Sequence, residues 1–411
     1  MNKTSLPRHC ELNYFPADGN HLLAGGQRLE ELVDRVGTPA YVYDRELISQ
    51  RIKLLRDTFP EQVRLHYAVK ANPMPALVQH LATLVDGFDV ASQHEMRVAL
   101  ATNMATDNIC FTGPGKGNDE LLTAIEAGVI INLESEVEML RVVKLAEIAG
   151  NRPRVMVRVN PDFELKSSGL RMGGGAKQFG TDAEQVPELL KKLGTLDLAF
   201  EGLHVFSGSQ NLQAEAIIEA QNASLQLAIE LAEFAPSEIR LLNLGGGFGI
   251  PYFPGDQPLA LSPIGDNFIR LCEQVNSALP NTALALELGR FLVGEAGIYV
   301  CHVLEKKVSR GQTFLITDGG MHQHLAASGN LGQVVRKNYP VVIGNKMAEA
   351  QKEVVTIVGR LCTPLDLLAD KMELPKAEAD DLVVILQSGA YGYSASPLHF
   401  LGHPLPSEIL V

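Results

Sequence analysis

Between residues 41 and 288, short β-branched runs alternate with longer segments whose apolar positions recur every three to four residues. That alternation is the pattern of repeated βα units around a parallel sheet. Strands are predicted at 65–69, 87–90, 109–111, 129–133, 155–159, 200–205, 239–244 and 284–288, with helix-period segments such as 74–84, 119–127, 135–149, 214–234 and 263–279 between them. Eight units in about 250 residues fit a closed (β/α)8 TIM barrel, with an open doubly wound sheet as the alternative.

After residue 294 the texture changes to strand-like pieces at 299–308, 313–317, 353–358 and 382–387, broken by turn residues and lacking helical period. The expected class is therefore α/β: a barrel over 38–295 followed by a second, mainly β domain over 296–411. The first 37 residues are expected to pack with the β domain, because they precede a helix at 45–59 that leads into the barrel. Residues 162–180, with five glycines, read as a mobile loop after strand five.

Composition narrows the function classes. With 46% hydrophobic and 20% charged residues the 411-residue chain is globular, and 35 Lys and Arg against 48 Asp and Glu leave a formal charge of −13. Such a balance gives no footprint for nucleic acid or anionic membranes. The apolar stretches fall short of the roughly 20 residues that a membrane helix needs, and the first residues carry no apolar signal core, so a cytoplasmic protein is expected. Five scattered cysteines form no CxxC pair and no zinc-type spacing, which predicts neither disulfides nor a metal.

In a barrel, chemistry gathers at the carboxyl ends of the strands. Lys70 follows the first strand, where partial burial would lower its pKa and make it a Schiff-base nucleophile; a snorkelling lysine is the plainer alternative. Strand seven ends in Gly245, Gly246 and Gly247, whose bare backbone can approach an anion, though three glycines also make a simple flexible turn. Ser207, Gly208 and Ser209 end strand six, and strand eight ends in Glu287, Leu288, Gly289 and Arg290. Glu287 and Arg290 could also be an ordinary ion pair. An amine, phosphate-friendly turns and a carboxylate together suit pyridoxal 5'-phosphate: its aldehyde needs an amine, its phosphate needs donors and its pyridine nitrogen needs an anionic partner.

The ordered motifs YAVKAN (67–72), GFDVAS (87–92), RVNP (158–161), GSQ (208–210), GGGFGI (245–250), ELGR (287–290), GRLCTPLD (359–366) and SGAY (388–391) resemble the barrel-type (fold-type III, alanine racemase-like) pyridoxal-phosphate decarboxylases that act on diaminopimelate, ornithine and arginine. The resemblance runs from about residue 37 to the end. It implies that Lys70 binds the cofactor's aldehyde, that Ser209, Gly245 to Gly247, Arg290 and Tyr391 hold the phosphate, and that Glu287 pairs with the pyridine nitrogen. Asp89, His204, Phe206 and Gly289, in or beside these motifs, complete the implied cofactor contacts. Cys362 would reach the neighbouring subunit's site in a head-to-tail homodimer and help protonate the product carbanion.

Departures from the family pattern bear on the substrate. Phe206 stands where a histidine commonly stacks on the cofactor ring, and Leu288 replaces a proline. Diaminopimelate decarboxylases usually carry an arginine after the turn at 317–320 and an acidic residue after the reactive cysteine. Here MHQHLAASGNLGQVV follows the turn, and Thr363 and Pro364 follow Cys362. The C-terminal motifs look most like a branch that includes decarboxylases of aminoacyl groups on acyl carrier proteins and relatives encoded with exopolysaccharide or exosortase systems. The expected activity is loss of the α-carboxylate from an L-amino acid or a derivative such as a carrier-bound glutamyl group. The alternatives are diaminopimelate decarboxylation to lysine, racemisation, which Glu287 opposes, and a pyridoxal-phosphate carrier protein, which the β domain opposes. Asp366, His322, His324, His399 and His403 could shape the pocket or serve the fold alone.

Overall fold

The computed structural model describes residues 8–12, 14–163, 170–171, 174–331, 333 and 336–411. The chain divides into two compact units, one of residues 51–250 and 259–289, the other of residues up to 50, 251–258 and 290–411.

The first unit is a barrel. Its eight parallel strands are Val63–Ala68, Gly87–Val90, Ile109–Phe111, Ile130–Leu133, Arg154–Asn160, Ala199–Val205, Leu241–Gly246 and Ala283–Leu288, each hydrogen-bonded to the next. The last also pairs with the first, Glu287 beside His66, so the sheet closes and the open alternative is excluded. Helices Pro75–Leu81, Gln93–Leu100, Asn118–Ala127, Glu136–Ala149, Val186–Leu193, Ala214–Ala232 and Ser262–Ala278 return the chain between strands. Two of them begin at Ser-x-x-Glu sequences, where Ser92 and Ser135 accept the N–H of Glu95 and Glu138 and satisfy an otherwise orphan donor. None of the helices among the described residues is long and apolar enough to cross a membrane. Of the expected loop at 162–180, residues 164–169 and 172–173 lie outside the described residues; Leu170–Arg171 pairs with Gly208–Ser209, and Thr181–Asp182 extends the sheet beside Arg154–Asn160.

The second unit is built on one 13-residue strand, Gly297–Ser309. It pairs antiparallel with Gln312–Thr317, Leu382–Ile385 and Ala40–Tyr43. Ser407–Leu410 then lies parallel to Ala40–Tyr43, while Lys352–Val358 and Leu367–Pro375 extend the other edge. Leu22, Leu29 and Leu32 from the N-terminal segment share a core with Val42, Ile298, Val300, Leu382 and Val384. Apolar burial of this kind, roughly 1.5–3 kcal/mol per large side chain, holds the early and late segments together. Among the strands that the hydrophobic pattern does not reveal, Ala40–Tyr43, Val341–Ile343 and Ser407–Leu410 are short, and Leu367–Pro375 exposes Lys371 and Glu373.

Gly202 marks a barrel position where only hydrogen fits. The register with Arg154–Asn160 shifts between Phe200 and Gly202, and a Cβ at 202 would lie 1.8 Å from the carbonyl oxygen of Leu241. Because that neighbour is backbone in a paired strand, relief requires moving the sheet. Gly202→Ala is expected to lower stability by about 2–3 kcal/mol in urea denaturation; a loss below about 0.5 kcal/mol would show that the strands relax freely.

Candidate active site

Successive residues of a barrel strand point alternately inward and outward. On the strand ends this alternation brings polar groups from strands one, two, six and eight to one place. Lys70 sits in the short turn Val69–Ala71 just beyond strand one, its side chain 39% exposed, with Nζ 3.2 Å from Glu287 Oε1 and 5.4 Å from the centre of the Phe206 ring. Glu287 is buried, and its other oxygen lies 3.2 Å from Nε2 of the fully buried His204. Burial alone would push the Glu287 carboxyl up, but Lys70, His204 and Arg158 outweigh it and hold the group well below the ordinary carboxylate range. Glu287 is therefore an anion at any physiological pH.

A second buried pair lies one strand over. His66 Nδ1 is 3.3 Å from Asp89 Oδ2, with both side chains sealed from solvent. Burial and the nearby Glu287 charge raise the Asp89 pKa, only partly offset by His66 and His204. The distances suit ion pairing, yet neither this pair nor His204 has hydrogen-bond geometry to a partner among the described residues. With Cys110, His66 and Asp89 bring three ligand atoms within 4.8 Å of one another, which the sequence spacing gave no sign of. Burial holds the Cys110 thiol protonated, however, and a neutral thiol is a poor metal ligand.

The glycine turn after strand seven is shaped by close approach. A Cβ on Gly246 would lie 2.0 Å from the Glu287 carbonyl oxygen, and one on Gly245 2.8 Å from the Phe206 ring. Gly245 and Gly247 also adopt left-handed φ of +67° and +82°. Asn243 Oδ1 accepts the Gly245 N–H, Gly247 accepts the Asn211 N–H and Asn211 accepts the Gly249 N–H, which stitches the loops after strands six and seven together. Ser209 lies in that stitched segment, in the Gly208–Ser209 pairing. Gly289 ends strand eight, where a Cβ would press within 3.0 Å of Ala71, next to Lys70.

These features fit pyridoxal phosphate. An amine beside a permanently ionised carboxylate, a flat aromatic face, a side-chain-free turn and buried polar atoms still without hydrogen bonds are what its aldehyde, pyridine nitrogen, ring and phosphate require.

The other expected residues belong to the second unit. Arg290 Nη1 donates to the Tyr252 hydroxyl at 3.0 Å, and its guanidinium lies 4.6 Å from the Tyr391 ring centre. Burial lowers the Arg290 pKa, but Tyr252, Tyr391 and Tyr339 raise it further, so the charge is fixed. Tyr391 holds a left-handed φ of +55°, a conformation costly for a residue with a side chain and one that concentrates at functional sites. Cys362 is exposed. The first arginine after the turn at 317–320, Arg336, is committed to the backbone carbonyls of Ser328 and Leu367. His324 hydrogen-bonds Ser388 and the Ala327 N–H, and burial pushes its pKa down to about 3, so it serves the fold as a neutral ring; His399 is exposed.

Sequence reasoning missed His66, Glu134 and, of the tyrosines around Arg290, Tyr252 and Tyr339. Arg158, inside a quoted motif but given no role, bonds Glu134 at 2.8 Å with both side chains buried. A histidine among the apolar residues at the carboxyl-end half of a strand, His66 in VRLHYA, was the available signal.

Comparison with known proteins agrees with this geometry. The family model of the pyridoxal-dependent decarboxylases, pyridoxal binding domain, matches residues 45–294. The chain is 37% identical to the L-glutamyl-[BtrI acyl-carrier protein] decarboxylase of Niallia circulans, over 92% of this chain and 90% of that protein. It is 32% identical to the diaminopimelate decarboxylase of Aquifex aeolicus, over 97% and 92% of the two chains. Its fold superposes on diaminopimelate decarboxylase from M. jannaschii in complex with L-lysine with a TM-score of 0.87 at 27% identity, covering 97% and 93% of the chains. The chain thus belongs to the fold-type III pyridoxal-phosphate-dependent decarboxylases, carboxy-lyases that act on amino-acid substrates.

Proposed function

We propose that the protein removes the α-carboxylate from an amino acid whose far end is joined to a carrier, a glutamyl group on an acyl carrier protein being the leading case. The observation that carries this reading is the 37% identity, over nearly the whole of both chains, to a decarboxylase named for that substrate. The far-end chemistry supports it. Thr363 and Pro364 offer no carboxylate beside Cys362, and Arg336 is already engaged by backbone, so diaminopimelate would find no charged partner for its far end at either of these two positions. The second reading, diaminopimelate decarboxylation, rests on the Aquifex relative and the M. jannaschii fold match.

When bound, pyridoxal phosphate supplies the electron sink that accepts the pair left as carbon dioxide departs. In our reading Lys70 is the amine that would hold the cofactor through its aldehyde. Glu287, kept ionised by Lys70 and Arg158, holds a proton on the pyridine nitrogen, with the His204 ring 3.2 Å from its other oxygen. Phe206 presents a flat apolar face in place of a ring that could shuttle protons. Ser209, the 245–247 turn and Gly289 would hold the phosphate end, a role that the family resemblance extends to Arg290 and Tyr391. Cys362, exposed in one chain, acts in a homodimer on the site of the partner copy, where its thiol returns a proton to the α-carbon. Work in the cytoplasm suits the five free cysteines.

Three measurements test this reading. Carbon dioxide release from diaminopimelate, ornithine, glutamate and a glutamyl carrier-protein conjugate should give the highest specificity constant for the conjugate, with diaminopimelate lower by about a hundredfold or more, the value of two lost charge-assisted contacts. Diaminopimelate as the best substrate would return the enzyme to lysine synthesis. Glu287→Gln should keep bound cofactor and lose about 10²- to 10³-fold in kcat; turnover within a few-fold of the parent would place the electron-sink control elsewhere. Mixing inactive Lys70→Ala and Cys362→Ala proteins should restore part of the activity through hybrid dimers, and no recovery after verified subunit exchange would refute the shared site.

A further inference from the structure

The second unit contains a group of basic side chains that none of the roles above uses. Asp366, 3% exposed, accepts the N–H of Met321 at 2.7 Å and of Leu361 at 2.8 Å, one bond per carboxylate oxygen. A single carboxylate thus clamps the turn that begins at Gly319 to the loop that carries Arg360, Leu361 and Cys362. Gly320 and Gly359 make room for it, since a Cβ on either would fall 2.5 Å or closer to an Asp366 oxygen.

The clamp sets His322 near Arg360, and the loop after Phe400–Gly402 brings in His403, whose ring centre is 5.4 Å from that of His322. His322 is 0% exposed, yet neither ring nitrogen has a hydrogen-bond partner among the described residues, and the same holds for Arg360 Nε. Buried polar atoms are rarely left unpaired, because each costs about 1–3 kcal/mol unless something completes it. Burial, with His403 and Arg360 close by, pushes the His322 pKa down to about 4. Arg360 is the fixed positive charge of the group, which favours an anion over a further cation. The carboxylate facing the group, Asp366, spends both oxygens on backbone donors, so Arg360 and the imidazoles retain donor capacity toward a ligand.

We propose that His322, Arg360 and His403 form a binding site for an oxyanion of the substrate, a carboxylate or a phosphate ester. Arg360 supplies the fixed charge and planar donors, His322 the buried donor at the back and His403 the outer wall. His403 follows Gly402, whose φ of +70° turns the chain just before the outer wall. The site rests on the decarboxylase reading only for what carries the anion: a carrier's prosthetic arm would bring a phosphate ester, and a free diacid a carboxylate. Its position two residues before Cys362 in sequence places the anion-binding arginine and the proposed proton donor on one loop.

The test uses the full-chain holoenzyme labelled with 15N-histidine and titrated with inorganic phosphate and, separately, glutarate. Saturable shifts of the His322 and His403 ring signals are expected, with a higher His322 pKa in the bound state. Arg360→Gln should weaken binding about tenfold or more, and Arg360→Lys should retain most of it. Tighter binding of phosphate than of glutarate identifies a phosphate ester as the source, and the reverse order a carboxylate. Failure of both anions to shift His322, or unchanged binding by Arg360→Gln, would overturn the site. Because neither anion is turned over, the result stands apart from the substrate panel.

Discussion

A carboxylate removed from water must find cations, and the placement of Glu287 on the last barrel strand imposes that demand on the strand ends around it. Lys70 from strand one and Arg158 from strand five supply positive charge, and the His204 ring from strand six lies 3.2 Å from the carboxylate, so groups from three strands meet around one buried anion. The geometry follows from closure: only because strand eight pairs with strand one does Glu287 come beside His66 and within reach of Lys70. An open sheet of the same strands would leave the carboxylate without its lysine. The same closeness that shields the charge forbids a side chain at Gly246, which is why the turn after strand seven is bare backbone.

The barrel was legible because its signal is repetitive. Each strand is a run of β-branched and apolar residues, each return a helix with helical period, and eight such units have few alternatives. Lys70, Glu287 and the 245–247 turn could be read because they stand at the ends of such runs. His66, inside strand one, and Glu134, just past the end of strand four, were harder to read, since a polar residue there gains a role only once its neighbours across the sheet are known. The mainly β unit was harder for another physical reason. Its strands pair across distant segments of chain, so Ala40–Tyr43 and Ser407–Leu410 have no local sequence partner to reveal them.

The second unit shows how structural and chemical roles divide among similar residues. His324 and His322 are two positions apart and both buried, yet one completes its hydrogen bonds with Ser388 and the Ala327 N–H while the other completes none. Asp366 resembles a candidate acid in sequence but is consumed by two backbone amides. Arg336, the first arginine after the turn at 317–320, likewise braces the chain through backbone carbonyls. Residue type alone did not separate these cases, because satisfaction depends on what the backbone presents opposite each side chain.

The threading of the mainly β unit has a consequence for how the chain is made. Its central strand needs Ala40–Tyr43, from the start of the sequence, and Leu382–Ile385, from near the end, while Ser407–Leu410 pairs with the former. A ribosome delivers those pieces more than 300 residues apart. By the time the last of them emerges, all eight barrel strands are already outside the exit tunnel and able to close among themselves. The strand at 40–43 and the apolar residues Leu22, Leu29 and Leu32 must wait through that interval with their partners unsynthesised. For this enzyme the most aggregation-exposed period of its life is therefore its own translation, and an N-terminal segment that looks peripheral is the one a nascent-chain chaperone has most reason to hold.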